Sequence, residues 1–120
     1  MRAHYPSEHK FNNVGADLEL QLFHTDLLHL SLACSSKKAA IVLMFNLNST
    51  NDNNGFFDDF TTKTPTPGGD SGSMDISKLL DLASSMKSNI SGYVGTDTMP
   101  PCTPGVCYYV YEKVFSITQA

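Results

Sequence analysis

The chain has 120 residues, of which 41% are hydrophobic and 17% are charged, and its formal net charge is −4. This length suits one domain, 1–120, and the composition is that of a globular protein rather than a disordered one. The eight basic residues do not cluster beyond Lys37 and Lys38, which argues against nucleic acid as a partner. The longest apolar stretch, 39–45, is too short to span a bilayer.

Strands dominate the predicted elements of the first half. Residues 17–24 alternate with period 2, which predicts a strand with a leucine face and a second face that carries Glu19, Gln21 and Phe23. A leucine-rich run follows at 27–32. The near-continuous apolarity of 39–47 predicts a strand that is buried on both faces.

The rest of the chain is predicted to hold one helix and a closing strand. Residues 46–54 and 61–73 have the composition of loops, and 55–60 is read as a short turn or a docked loop. Helical spacing of apolar residues over 75–87 predicts a helix whose stripe packs in the core. The proline-rich segment 98–105 is predicted to be irregular, and 108–117 is a strand by content.

Three cysteines, Cys34, Cys102 and Cys107, form an odd set, so at least one must pair elsewhere or stay reduced. The sequence alone does not decide whether two of these cysteines form a disulfide or all three are free thiols. Asn48 and Asn89 begin Asn-x-Ser/Thr sequons and are candidate glycosylation sites. They favour a secretory or extracellular location, with an organellar assembly as the alternative.

Three separated segments then match one family in the correct order. They are His4-Tyr5-Pro6-Ser7-Glu8-His9, Glu19-Leu20-Gln21-Leu22-Phe23-His24, and the stretch 95–106, which reads GTDTMPPCTPGV. Together they resemble the alpha-class carbonic anhydrases, and in particular the acatalytic carbonic-anhydrase-related type. The resemblance covers the C-terminal half of such a domain. It implies a mainly β fold with short helices (α+β), built on a twisted, mostly antiparallel central sheet that is truncated at its N-terminal side.

In this family three histidines hold a catalytic zinc ion. The positions of this sequence that match them are Arg2, His4 and Gln21. Arginine offers no lone pair, and a glutamine amide is a poor zinc ligand beside imidazole. The resemblance therefore implies that two of the three ligands, and with them the zinc, are lost. We expect Arg2 to pair with Glu8 or Glu19.

The residues around the metal position are better preserved. Glu8 and Thr98 match a hydrogen-bonded pair of the family, and Glu19 matches the carboxylate that orients the third zinc histidine. With Gln21 in that place, Glu19 is expected to accept an amide hydrogen bond. Asp97 stands where the family has an apolar leucine. Cys102 matches a family cysteine that forms a disulfide with one in the N-terminal half. In this chain Cys102 could instead pair with Cys107, pair with a cysteine of another chain, or stay unpaired.

The sequence thus predicts a catalytically inactive carbonic-anhydrase-like domain without a cofactor. Its predicted role is that of a structural or protein-interaction subunit within a larger assembly. Other protein chains are the expected partners, because half of a sheet leaves strand edges uncovered. Two alternatives remain: an active zinc carbonate dehydratase completed by residues of another chain, and a scaffold reused to bind a small anionic ligand through Arg2, Glu8, Glu19 and Asp97.

Overall fold

The computed structural model describes residues 1–25, 34–49, 57, 77–84 and 89–118. It contains the strands β1 (Arg2–His4), β2 (Lys10–Phe11), β3 (Val14–Gly15), β4 (Leu18–Thr25), β5 (Lys38–Leu47), β6 (Ile90–Thr96) and β7 (Pro104–Ile117), and the helix α1 (Ser77–Ser84). The predicted leucine-rich run at 27–32, the turn at 55–60 except Phe57, the loop at 61–73 and both ends of the predicted helix 75–87 lie outside the described residues.

Five strands form one sheet in the order β1-β4-β5-β7-β6, and β2 pairs with β3 in a separate antiparallel hairpin. The pairs β1–β4, β4–β5 and β6–β7 are antiparallel. The predicted fold class, a truncated and mostly antiparallel carbonic-anhydrase-type sheet, is therefore confirmed. The predicted strands 17–24, 39–47 and 108–117 correspond to β4, β5 and β7.

The structure adds strands that were not predicted and moves the start of β7; the short strands β1, β2 and β3 are among the additions. Strand β6 was not predicted, and it lies at one end of the sheet order. Strand β7 begins at Pro104 rather than 108, so the last two residues of the predicted loop 98–105 belong to it. Pro104 is tolerated there because it is the first residue of the strand, where a missing N–H costs little.

The chain divides into two compact units. The first comprises Met1–Asn46 and Ser88–Val114, and the second comprises Leu47–Lys87 and Phe115–Ala120. Within the second unit, the described residues include α1, the buried Phe115, and a hydrogen bond of 2.8 Å from Asn48 N to Ile117 O.

The core of the first unit packs on both faces of its sheet. On one face lie Ala16, Ala40, Val42, Met44, Val106, Tyr108 and Val110, against which Phe11 and Phe23 pack. Leu20 and Leu43, which alternate with these positions, are buried on the opposite face. The prediction that the 39–47 strand is buried on both faces is therefore confirmed.

A disulfide between Cys34 and Cys107 joins the segment before β5 to strand β7, with a Cα–Cα distance of 5.3 Å. Pairing of Cys102 with Cys107, one of the open options, is wrong: Cys102 is a free, exposed thiol. Close by, Gly105 has φ +83°, and a Cβ there would meet Ser35 Oγ and the backbone of Ser36. Only glycine allows the backbone at position 105 to lie this close to Ser35 and Ser36 without strain. At this short distance the backbone N–H and the hydroxyl of Ser36 both donate to Gly105 O.

Candidate functional site

The candidate site lies on one face of β1 and β4. In the antiparallel register Arg2 is opposite Gln21, and His4 is opposite Glu19. Because alternate residues of a strand point to the same face, these four side chains share one surface of the sheet. The β5 partners of Glu19 and Gln21 are Met44 and Val42, both in the apolar core. Glu19 and Gln21 are 0% exposed, so their polar atoms need hydrogen-bond partners within the protein.

Arg2 forms a two-pronged ion pair with Asp97. Its Nη1 lies 2.5 Å from Oδ1 and its Nη2 lies 3.4 Å from Oδ2, while its guanidinium carbon lies 4.3 Å from the centre of the Phe23 ring. Lys38 Nζ approaches Asp97 Oδ2 at 3.4 Å, and the backbone N–H of Met99 donates to Oδ1. The hydrogen bond from Arg2 holds the pKa of Asp97 well below its usual range, and the same bond raises the pKa of Arg2.

The expectation that Arg2 pairs with Glu8 or Glu19 is therefore wrong. The physical reason is that Glu19 already has its own donors, while Asp97, directly after β6, lies within reach of the guanidinium. The charge of Arg2 is neutralised by a residue 95 positions away in sequence.

Glu19 is a buried carboxylate with three donors. Its Oε2 accepts the backbone N–H of His9 at 2.8 Å, and its Oε1 lies 2.8 Å from His9 Nδ1 and 2.6 Å from Gln21 Nε2. Burial pushes the pKa of Glu19 upward, but the hydrogen bonds from His9 and Gln21 outweigh it, and the pKa is lowered overall. The expected amide hydrogen bond from Gln21 to Glu19 is confirmed.

His9 links this carboxylate to a pair of tyrosines. Its Nε2 lies 2.6 Å from the Tyr93 hydroxyl oxygen, and the rings of Tyr93 and Tyr108 are stacked at 5.1 Å. The hydroxyl of Tyr108 donates to Thr96 O. Burial is the main cause that raises the pKa of Tyr108 to about 12, and burial also raises the pKa of Tyr93. Both hydroxyls therefore remain protonated donors at neutral pH. The buried Ser7 fixes the segment that carries His9 through hydrogen bonds with Ala16 and with His9 O.

Glu8 bridges His4 and Gln21. Its Oε1 lies 3.2 Å from His4 Nδ1, and its Oε2 accepts from Gln21 Nε2 at 3.2 Å. Thr98 is exposed, and within the described residues no hydrogen bond joins it to Glu8. The pairing of Glu8 with Thr98 that the resemblance implied is thus not formed; the oxygens of Glu8 contact His4 and Gln21 instead.

Among the residues that the structure describes, two buried atoms of this site have no hydrogen-bond partner: His4 Nε2 and Gln21 Oε1. Buried polar atoms without partners are rare, and each costs free energy. Within the part of the chain that the structure describes, no group of three His, Cys, Asp or Glu side chains is arranged to hold a metal ion.

The structure brings together all of the predicted site residues except Thr98, which lies beside the cluster without a contact to Glu8. Sequence reasoning missed His9, Lys38, Tyr93 and Tyr108 as residues of the site. The β-favouring residues Ile90, Tyr93 and Val94 were the available signal for β6, but two glycines within the strand obscured it.

The two candidate glycosylation residues lie in different surroundings. Asn48 is exposed, and its side-chain oxygen accepts the backbone N–H of Ser49 at 2.7 Å. Asn89 is exposed, and Ser91 of its sequon donates to Glu112 at 2.7 Å. Among the described helical residues, none belongs to a helix with the length and apolarity that crossing a membrane requires.

The sheet and the polar cluster define a class of protein, and comparison with known sequences agrees. The family model for the eukaryotic-type carbonic anhydrases matches residues 2–120. The chain belongs to this family.

Individual relatives show how much of the domain is matched. The chain is 29% identical over 114 residues to Alpha carbonic anhydrase 6 of Arabidopsis thaliana, a match that covers 92% of this chain and 38% of that protein. The alpha carbonic anhydrase of Aspergillus oryzae superposes with a TM-score of 0.71 at 25% identity, covering 97% of this chain and 48% of that one. The Thermovibrio ammonificans enzyme, solved with the inhibitor sulfanilamide, gives a TM-score of 0.71 at 22% identity over 98% of this chain and 47% of that one. The chain thus spans less than half the length of these relatives.

Proposed function

We propose that this chain is a catalytically inactive carbonic-anhydrase-like domain that acts as a structural or protein-interaction subunit. The observation that carries the proposal is the ion pair between Arg2 and Asp97. Arg2 stands where the family resemblance places a zinc histidine, and Asp97 stands where it places an apolar leucine. The two replacements compensate each other in charge, which is what a site adapted to the absence of a metal cation requires.

The donor atoms at the three matched positions do not fit a catalytic zinc ion. Such a site needs three protein ligands and an open position. Arg2 has no lone pair, and its guanidinium is held by Asp97. The amide nitrogen of Gln21 donates to Glu8 and Glu19, which leaves one imidazole nitrogen of His4 and one amide oxygen. Two neutral ligands of this kind would hold zinc weakly.

The surrounding hydrogen bonds support a structural role for the remaining frame. Glu19, which the resemblance makes the orienting carboxylate of a zinc histidine, accepts from Gln21 and His9 instead. The network from Tyr93 through His9, Glu19 and Gln21 ties β6, β4 and the segment after β1 together without a metal. Buried networks with nearly complete hydrogen bonding rigidify a fold.

An interaction role is supported by the surface of β6. This strand ends the sheet order, carries neither charge nor proline over Ile90–Thr96, and exposes Ile90 and Val94 by 49% and 54%. Uncharged strands at a sheet edge are templates for pairing with another chain. We therefore propose protein partners that cover this edge.

The anionic-ligand alternative is less well supported by the charges. Arg2 and Lys38 are the cations that would attract an anion here, and both already contact Asp97. An added anion would have to displace this carboxylate or share its donors. The completed-enzyme alternative would require another chain to supply at least two zinc ligands.

Carbon dioxide hydration by the purified chain tests the proposal. We expect no activity above the uncatalysed rate in buffer that contains zinc, and sulfonamide-sensitive hydration would overturn the proposal.

The double variant Arg2→His with Gln21→His serves as the matched comparison. It restores the three histidines of the family pattern and is expected to bind zinc when the complementary half of a family domain is supplied as a second chain. Zinc uptake by the double variant alone would mean that this chain forms the site unaided, which would contradict the proposed need for a partner.

A further inference from the structure

The outer edge of β6 presents backbone hydrogen-bonding groups in a defined order. Glu112 N donates to Asn89 O at 3.1 Å, and these two residues directly continue the register of β6 and β7. Hydrogen-bonded pairs alternate along an antiparallel ladder, so the odd-numbered residues of β6 bond to β7. The N–H and C=O groups of Ile90, Gly92 and Val94 therefore point away from β7, to an edge on which no other described strand lies.

A cavity of about 180 Å³ lies on the face of the sheet that carries Gly92 and Val94. Gly92 is opposite Tyr109 in the register, and two carbon atoms of the Tyr109 ring lie 3.6 and 3.7 Å from the position that a Cβ at residue 92 would take. Gly92 has no side chain to fill this space. The cavity suits an apolar side chain, because none of its lining residues is charged: Gly92, Tyr93, Val94, Cys107, Tyr108 and Tyr109.

A second copy of β6, running antiparallel along this edge, supplies such a side chain. When Tyr93 lies opposite its own counterpart, all seven residues of β6 are paired, and Val94 of each copy is opposite Gly92 of the other. Directly opposite residues of an antiparallel pair share a face, so each Val94 lies beside the cavity of the other copy. A pair centred on Gly92 or on Val94 would align fewer residues and would leave Gly92 without Val94 opposite it.

The composition of β6 agrees with pairing to itself. In a two-fold pair the same patch of both copies is buried, and a residue near the axis meets its own counterpart. A charged residue there would meet a like charge, and β6 carries neither charge nor proline. The exposed side chains of Ile90, Val94 and Tyr109 would be covered by the second copy.

We propose that β6 binds β6 of a second copy of this chain in an antiparallel pair centred on Tyr93, with Val94 of each copy packed over Gly92 of the other. The inference rests on the proposed function, because it names the partner for the edge that the proposed function assigns to protein interaction. The pair gives hydrogen-bond partners to the outward backbone groups of Ile90, Gly92 and Val94 and joins the two sheets into one.

Amide hydrogen exchange, followed by nuclear magnetic resonance on the full chain, tests which backbone groups are paired. In samples that sedimentation velocity shows to be dimeric, the outward amides of Ile90, Gly92 and Val94 should be protected from exchange. The amide of Tyr93 bonds to β7 and should be protected in dimer and monomer alike. Protection of the outward amides should therefore be lost when the dimer is dissociated.

The variant Val94→Pro separates the pairing from the fold of β6. Proline removes the outward N–H of residue 94 and is tolerated on an edge strand where that N–H faces away from the sheet. The variant should be monomeric, and continued protection of the Tyr93 amide should show that β6 still pairs with β7. Val94→Thr is the matched control, because it keeps the N–H and the branched side chain, and it should remain dimeric.

Paired cysteines test the register. Gly92→Cys and Val94→Cys are each made in a Cys102→Ser background, and a Cβ at residue 92 meets the Tyr109 ring only at ordinary contact distance. Hydrogen-bonded residues opposite each other in antiparallel strands have Cα atoms about 5.5 Å apart, which a disulfide can span. An oxidised mixture of the two variants should give a disulfide-linked dimer, and each variant alone should not.

Three results would overturn the proposal: a wild-type chain that stays monomeric at every concentration, a dimer in which the outward amides of β6 exchange freely, or a disulfide-linked dimer of either cysteine variant alone. The proposed function is decided separately, by zinc content and carbon dioxide hydration of the same samples. Sulfonamide-sensitive hydration by a dimer with protected outward amides would overturn the proposed function and leave the pairing intact.

Discussion

Asp97 is the residue on which the charges of the site converge. It accepts hydrogen bonds from Arg2, Lys38 and the backbone of Met99, and its side chain is 7% exposed. Because the folded state favours its charged form, the pKa of Asp97 is depressed on folding. The stabilisation is therefore present above the unfolded-state pKa, near 3.9, and is lost as pH falls through the lower folded-state pKa.

Replacing Asp97 with asparagine should destabilise the fold at pH 7 by about 1–3 kcal/mol, because Arg2 loses a charged hydrogen-bond partner. The difference in unfolding free energy between the two proteins should narrow as pH falls below about 4. Urea denaturation from pH 7 downward measures it. Lys38→Met is the control, since the side chain of Lys38 is 42% exposed and its loss should cost less than about 1 kcal/mol. A pH-independent difference would contradict the assignment.

At this scale the sequence predicted local contacts better than distant ones. The hydrogen bond from Gln21 to Glu19 was implied by the family resemblance, and it joins two residues that share a face of one strand. The partner of Arg2 could not be found in the same way, because it depends on where the chain places Asp97 after β6.

Among the elements, β5 and β6 show what a pattern does and does not reveal. The continuous apolar run of β5 gave its position and its burial on both faces. Strand β6 has a few β-favouring residues separated by Gly92 and Gly95 and no clear alternation, so it was missed. Its place beside β7 is supported by stacking of Tyr93 on Tyr108, a contact that the sequence pattern does not reveal.

The disulfide gives a second prediction at the scale of elements. Cys34 and Cys107 are 73 residues apart in sequence, so their bond restricts a long loop in the unfolded chain. Reduction should lower the free energy of unfolding by about 2–5 kcal/mol, measured by urea denaturation with and without a reductant.

Cys102→Ser is the matched control for this effect. Because Cys102 is free and exposed, the variant should show the same loss on reduction as the unmodified chain. Loss of the reductant effect in Cys102→Ser would mean that Cys102 takes part in the stabilising bond, contrary to the described pairing.

For the molecule as a whole, the family and the sheet could be predicted from three motifs in the right order, and the family model over residues 2–120 agrees. The three motifs identify the family because they match the segments that form its zinc site. No motif in this sequence identifies a partner protein. The chain matches less than half the length of its relatives, so the question of what covers its sheet becomes central to its function.

A lysine at position 94 tests the proposed interaction surface. Val94 is 54% exposed on β6, and a charge on an edge strand opposes pairing with another chain. Val94→Lys should shift the chain towards monomer in sedimentation velocity experiments. Val14→Lys is the control, because Val14 is 70% exposed in the separate β2–β3 hairpin, and it should leave association unchanged. Equal effects of the two variants, or a wild-type chain that is already monodisperse and monomeric, would count against this surface.

The central claim is that the polar site replaces a zinc ion by hydrogen bonds and an internal ion pair. Metal analysis of the purified wild-type chain, after equilibration with zinc and removal of unbound ions, tests it most directly. The account predicts far less than one zinc ion per chain, because Arg2 is held by Asp97 and the Gln21 amide nitrogen by Glu8 and Glu19. One tightly bound zinc ion per chain, lost on replacement of His4, would contradict it.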